Sequence, residues 1–288
     1  MNILHITYFI NGFLMMAMPV ALGIYLTRKF DSGWRLWLIG GAVFVLSQVG
    51  HIPFNAGVGL LFQKGILPGI PPAWQLPFSI VFLGLSAGLF EELARYAMFR
   101  WWAKDARSWR AAILTGAGHG GAEAIILGAL VLFNYVVMLA MRGADLATVV
   151  PAEQLALAQE QINTYWSAAW YDTLLGALER FFTLPVQIGF AVIVAQTFIR
   201  KQWWWVWLAV LWHAAVDGLA VWASQTLNLY LTEALIGGIA LINLSIIFAL
   251  RQAEPLPAPV PSLPHLPLPP SIAPPEETPE NLDKAKYT

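Results

Sequence analysis

QLPFSIVFLGLSAGLFEELARYAMFR, residues 75–100, decides what kind of chain this is. From Leu76 to Phe90 it carries no charge, and then Glu91, Glu92 and Arg95 arrive before the apolar run resumes. The stretch is long enough to cross a bilayer, which takes about 20 residues of helix. Charged side chains are costly in hydrocarbon and face a bundle interior or a water-filled cavity. Glu91 and Arg95 are four residues apart and so share one helix face. A span that aims a carboxylate and a guanidinium inward needs other helices around it.

Three further segments repeat the pattern. His119 and Glu123, His213 and Asp217, and His51 and Asn55 each sit at four-residue spacing within apolar sequence. Several helices that each direct a polar pair inward point to one shared polar site in the membrane.

Composition agrees. The chain of 288 residues is 58% hydrophobic and 11% charged, with a mean hydropathy of +0.62, whereas an ordinary soluble domain is about 25% charged. Net charge is -1, which gives no basis for nucleic-acid binding. The absence of cysteine excludes a disulfide framework, a thiolate metal site and a cysteine nucleophile. No Lys or Arg precedes Arg28, so the first segment reads as a retained span and not a cleaved leader.

Seven segments are long enough to cross: 4–27, 36–61, 75–100, 110–141, 167–199, 203–224 and 229–250. The expected fold is an all-α bundle over residues 1–250, in a bacterial cytoplasmic membrane. The fourth and fifth segments are long, and Gly116, Gly118, Gly120 and Gly121 suggest an irregularity in the fourth. Pro185 suggests a broken hydrogen-bond ladder in the fifth, and Pro53 a helix break beside His51 and Asn55. Twelve Lys and Arg fall on the side of the 1–2, 3–4 and 5–6 connections and the tail; Lys64 and Arg142 fall opposite. This asymmetry places the N-terminus outside and the C-terminus in the cytoplasm. Trp101, Trp102, Trp109, Trp203, Trp204, Trp205 and Trp207 sit at the same cytoplasmic boundary.

That topology sets depths. Glu91 is nine residues before Arg100, His119 nine after Arg110, and His213 twelve after Lys201. At about 1.5 Å per residue these groups and their partners fall roughly 13–24 Å below the cytoplasmic end. Between the fourth and fifth spans, Pro151 to Asn163 reads as a short helix with Leu155, Leu157 and Ile162 as its apolar stripe. It serves either as a surface helix or as a lid. Asp172 and Glu233 fall near the outer interface. Residues 251–288 read as a cytoplasmic tail, disordered or polyproline-II, with eleven prolines between 254 and 279.

The polar groups admit two readings. Adjacent carboxylates repel, so Glu91 and Glu92 would share a proton or contact a cation, and Arg95 can neutralise Glu91 across one turn. A carboxylate so placed can take a proton from water and return it to a leaving group. His119 lies among glycines that clear space around its ring, and histidine is the commonest metal ligand; Glu123 would orient it or bind directly. Asp217 has the same choice toward His213. Glu179, Thr183 and Gln187 share a face, and Glu179–Arg180 reads as supporting the site. The competing reading makes each group part of a structural ion cluster that staples the helices.

At these residues the chain resembles the YhfC family of intramembrane metalloproteases, relatives of the CAAX prenyl endopeptidase and bacteriocin-processing superfamily. The resemblance runs in order through Phe90-Glu91-Glu92-Leu93-Ala94-Arg95-Tyr96, Gly118-His119-Gly120-Gly121-Ala122-Glu123, Glu179-Arg180 and His213-Ala214-Ala215-Val216-Asp217. It implies a glutamate-activated water, with Glu91 or Glu92 as the base. His119 and His213 would bind a metal, expected to be zinc, or polarise the scissile carbonyl. Asp217 would match the polar residue four after the second histidine. Gln187 stands where a histidine often follows the Glu-Arg pair. The wider superfamily also has one more residue between its paired glutamates and arginine. The motif His-Glu-x-x-His is absent, so a metal site would be assembled from separate helices.

The function expected is therefore an intramembrane endopeptidase acting on membrane-embedded or lipid-anchored polypeptides. The alternatives are a proton- or cation-coupled transporter using the same cluster, or a structural membrane subunit. A retinal protein is excluded, because none of the six lysines lies within a predicted span.

Overall fold

The structure is a computed structural model and describes residues 3–253. From residue 254 onward, the expected Pro-rich tail lies outside the described residues. The described chain is all-helical. Seven helices are long and apolar enough to span: Ile3–Phe30, Arg35–Gln63, Pro72–Trp102, Trp109–Met141, Asp172–Ile199, Trp204–Thr226 and Leu229–Ala249. This is a multi-pass integral membrane protein. Its α-helices are α1 (Ile3–Phe30), α2 (Arg35–Gln63), α3 (Pro72–Ala97), α4 (Trp109–Met141), α5 (Leu155–Ser167), α6 (Leu175–Ile199), α7 (Trp204–Thr226) and α8 (Leu229–Ala249).

Local chemistry sets several boundaries. Ser108 caps α4 by accepting the Ala111 N–H at 3.3 Å, and Asn228 caps α8 by accepting that of Leu231 at 3.0 Å. Pro71 precedes α3, where a proline at the first helical position fits at no hydrogen-bond cost. The end of α3 widens into a π-turn over Met98–Trp102, with the Ala103 N–H reaching the Met98 carbonyl at 2.7 Å. That turn leaves Trp101 and Trp102 exposed.

Two expected irregularities are corrected: α4 runs unbroken through its four glycines, and α2 through Pro53. Helix α6 likewise continues through Pro185, which costs its ladder one N–H donor without ending the helix. Neighbouring helices and local adjustment re-satisfy a backbone group freed by an intramembrane proline. The α4 glycines serve close packing instead. A Cβ at Gly118 would collide with the Trp37 carbonyl of α2. On the other side of the bundle, a Cβ at Gly88 of α3 would stand 2.5 Å from the Val210 carbonyl of α7. Small residues at such crossings let membrane helices approach closely.

Helix α6 is the enclosed centre, buried almost continuously from Val186 to Thr197, and packs against α1, α4, α7 and α8. Leu46, Val49, Phe133, Val136, Leu211, Leu241 and Phe248 point outward, as a lipid-facing surface requires. The segment after Pro151 begins as a short 3₁₀ turn, and α5 follows from Leu155 to Ser167. Of its expected stripe Ile162 is buried but Leu157 is exposed, because α5 rests on the bundle mainly through aromatic groups at its C-terminal end. Asp172 accepts the Tyr230 hydroxyl at 2.5 Å, which ties the start of α6 to α8, and Glu233 is buried.

Candidate functional site

Five spans contribute side chains to one connected polar assembly. Gly88 lets α3 press against α7, and one turn later α3 presents Glu91 and Glu92, both buried. Gly118 lets α4 press against α2, and the next residue is His119. Across the α3–α4 gap, His119 Nε2 lies 3.0 Å from Glu91 Oε2. An ionised carboxylate only accepts hydrogen bonds, so the imidazole donates there. The Gln48 amide of α2 donates to the other Glu91 oxygen at 3.0 Å. Glu92 turns to α7, where its Oε1 is 2.6 Å from His213 Nδ1.

Arg95 stands between the two glutamates. It pairs closely with Glu92, lies 3.7 Å from Glu91, and donates to the Gln187 side-chain oxygen of α6. Gln187 in turn donates to Glu123 Oε2 at 2.8 Å. Glu123 Oε1 receives Arg180 at 2.5 Å, and Arg180 also pairs with Glu179. Asp217 lies 3.4 Å from His213 Nε2. The remaining pair joins through Gln48: His51 Nδ1 is 3.3 Å from the Gln48 oxygen, and Asn55 is 3.0 Å from His51 Nε2. All twelve side chains singled out in the sequence thus belong to one chain of contacts.

Aromatic rings complete the site. Phe190 stacks on His213, centroids 4.2 Å apart, and lies 5.7 Å from the Arg95 guanidinium. Phe44 meets His119 edge-on at 5.2 Å. Sequence reasoning missed Gln48, Ser86 (3.1 Å from His51 Nε2), Phe44 and Phe190. Gln48 had a signal, a polar residue three before His51 in an apolar span. The phenylalanines had none, since one aromatic in a membrane segment looks like any other.

The donors suit a metal such as zinc, which accepts imidazole nitrogen and carboxylate oxygen. A metal-bound histidine usually donates its other ring N–H to a carboxylate. His119 is arranged that way, with Nε2 on Glu91 and a buried Nδ1 that has no partner. Glu92 Oε2 is likewise buried and unpartnered. These two atoms are the donors that the site leaves open to an ion. His213 and Glu123 are otherwise engaged, and among the described residues no three His, Asp or Glu side chains are grouped to hold one ion. An apolar groove of about 1090 Å³ between α1, α6 and α8 has none of the twelve in its lining.

Fold and site together define a polytopic membrane protein with a Glu/His/Arg centre buried among its helices. The model of the YhfC intramembrane metalloprotease family matches residues 14–240, and the chain belongs to that family. It is 27% identical over 219 residues to the "Uncharacterized membrane protein YhfC" of Bacillus subtilis (strain 168), a match covering 74% of this chain and 82% of that protein. No solved structure matches significantly.

Proposed function

We propose that this protein is an intramembrane endopeptidase of a bacterial cytoplasmic membrane, hydrolysing peptide bonds of membrane-embedded or lipid-anchored polypeptides. The observation that carries this reading is the buried Glu91–His119 pair with His119 Nδ1 left open. Glu91 takes a proton from the attacking water and delivers it to the departing amine. Arg95 and Gln48 hold the carboxylate in place for both transfers. Glu92 fixes His213 through Nδ1 and Phe190 fixes the plane of its ring, so that the Nε2–H, which faces Asp217 at 3.4 Å, can turn from it to the charge developing on the scissile carbonyl oxygen. The family description implies a metal, and zinc suits imidazole and carboxylate donors; His119 would hold it, with Glu92 as the second free donor, and it would acidify a bound water and polarise the carbonyl. Positive-inside asymmetry supports an outer N-terminus and a cytoplasmic C-terminus.

The test compares membranes from cells carrying the parent protein or Glu91→Gln by mass spectrometry of newly formed peptide termini. Termini present only with the parent identify substrates and the cut position. Identical sets would sink the peptidase reading. The run of ionisable groups in contact from His119 through Glu91, Arg95, Glu92 and His213 to Asp217 also suits a proton relay, as in a coupled transporter. That reading requires pH-dependent flux in liposomes that survives metal chelation.

A further inference from the structure

Shielding along the polar assembly is uneven, and it changes in one direction. The side chain of Glu92 is 0% exposed, that of Glu123 20%, Glu179 37% and Asp217 40%. On α4, α6 and α7 the more exposed group lies nearer the end of the bundle where α5 sits. Glu123 follows His119 on α4, which runs on toward α5. Asp217 follows His213 on α7, and Glu179 precedes Gln187 on α6, which begins just after α5. On α2, Gln48, His51 and Asn55 are all half-buried.

The opposite end is packed tightly over the polar assembly, and the cavity of about 510 Å³ at that end, between Trp109, Phe248 and Arg251, has none of the twelve polar side chains in its lining. Trp37, Phe99, Ala103, Trp109, Val194 and Trp205 form one buried apolar cluster. They come from the starts of α2, α4 and α7, the end of α6 and the turn after α3, so they pack these five helix ends together on that side. The basic residues crowd there too, with Arg107 donating to the Phe99 carbonyl and lying over the Phe198 ring.

At the α5 end lies a cavity of about 650 Å³ with Arg180 and Glu179 in its lining. Asn11, Leu127 and Asn134 line it further, and Tyr8 and Tyr165 lie at the α5 contact. The Tyr8 hydroxyl donates to the Tyr165 carbonyl at 2.6 Å, and the two rings stack with centroids 4.1 Å apart. Through Arg180, Glu123 and Gln187 this cavity connects by unbroken hydrogen bonds to Arg95 and the glutamates.

We propose that water and the segment to be cleaved reach the centre from the α5 end, through this cavity, and that this end is the extracytoplasmic one. The assignment of a cleaved segment rests on the peptidase reading; the route and its sidedness do not. The sealed end carries the basic residues that remain cytoplasmic in membrane proteins. The cavity combines apolar walls, amides, tyrosines and an Arg–Glu pair. Such a lining suits an extended polypeptide stretch with polar backbone groups and not an acyl chain. The substrate class is therefore a membrane-anchored polypeptide cut on its extracytoplasmic side, with the product released there.

The chain contains no cysteine, so single thiols can be introduced into the full-length protein without background. Leu127→Cys, Asn134→Cys and Thr173→Cys place a thiol in the cavity lining. Trp203→Cys, at a residue 71% exposed on the sealed side, reports the other face. A membrane-impermeant maleimide is added to intact cells and, separately, to inside-out vesicles. The expected result is labelling of the three cavity thiols in cells, and of the Trp203→Cys thiol only in vesicles. Labelling of the cavity thiols only in vesicles, or from neither side in variants that accumulate normally, would overturn the proposal. Three positions keep the test decisive if one variant fails to fold. If cavity labelling occurs as expected while Glu91→Gln leaves the pattern of peptide termini unchanged, the route stands and the peptidase reading falls.

Discussion

His119 of α4 and Glu91 of α3 meet at 3.0 Å through Nε2 and Oε2, which leaves His119 Nδ1 buried with no partner. The pair comes from two spans and is 28 residues apart in sequence. If Glu91 moves the proton, replacing it by its isosteric amide removes chemistry and little else. The Gln oxygen can still accept from Gln48, and its NH2 can donate to His119 Nε2 once the imidazole carries its proton on Nδ1, while Arg95 keeps Glu92. We predict that Glu91→Gln lowers cleavage at least about 100-fold, the low end for a lost general base. Its unfolding temperature in detergent should stay close to that of the parent. A variant that unfolds much earlier would move Glu91 from catalysis to structure.

Glu92 should behave differently. Its Oε1 serves both Arg95 and His213, and all three side chains are buried. Removing one member of a buried pair leaves an uncompensated charge, which costs roughly 3–5 kcal/mol. Glu92→Ala is thus predicted to destabilise the protein far more than Glu91→Gln. Arg95→Ala/Glu92→Ala together should recover part of the loss, since the guanidinium no longer stands without Glu92, but only part, because Glu91 loses its partner at 3.7 Å. A double variant no more stable than Glu92→Ala would refute this assignment of the penalty.

The two open atoms give a separate prediction about metal. Elemental mass spectrometry of the purified parent should find about one equivalent of zinc, lost in folded His119→Ala, if the carboxylate-oriented histidine is the anchor. His213→Ala should retain more of it, because both His213 nitrogens already face carboxylates. Equal loss in both variants would make His213 a ligand of the same rank. No metal in the parent after reconstitution would withdraw the zinc assignment.

What could be read from sequence and what could not divide along a physical line. Seven spans, and the inward aim of Glu91, Arg95, His119 and His213, follow from hydropathy and helical spacing, because in hydrocarbon a charge has few places to go. Partner choice does not follow. Spacing suggested Glu123 as company for His119, yet Glu123 faces Arg180 and Gln187 from α6, and His119 faces Glu91 from α3. Those pairings depend on how deeply α4 sits against α6, which side-chain size and helix crossing decide. The α4 glycines show the same gap. Sequence marked the unusual run, but whether it bends a helix or admits a neighbour depends on the neighbour's backbone, here the Trp37 carbonyl.

That last point carries its own prediction. A Cβ at Gly118 overlaps backbone of α2, which cannot swing aside as a side chain can. Overpacking of a tight core costs about 1–3 kcal/mol. The α2–α4 crossing must also widen, which carries His119 away from Glu91 on α3. Gly118→Ala is therefore predicted to lower both the unfolding temperature and the rate of cleavage. Gly57, in the same α2 helix, has nothing within 4 Å of an added Cβ. There alanine removes only glycine's excess backbone freedom, worth roughly 0.5–1 kcal/mol in favour of the helix. Gly57→Ala should therefore melt no earlier than the parent and cleave at the parental rate. If Gly118→Ala matched Gly57→Ala in both measurements, the close crossing would not be what positions His119.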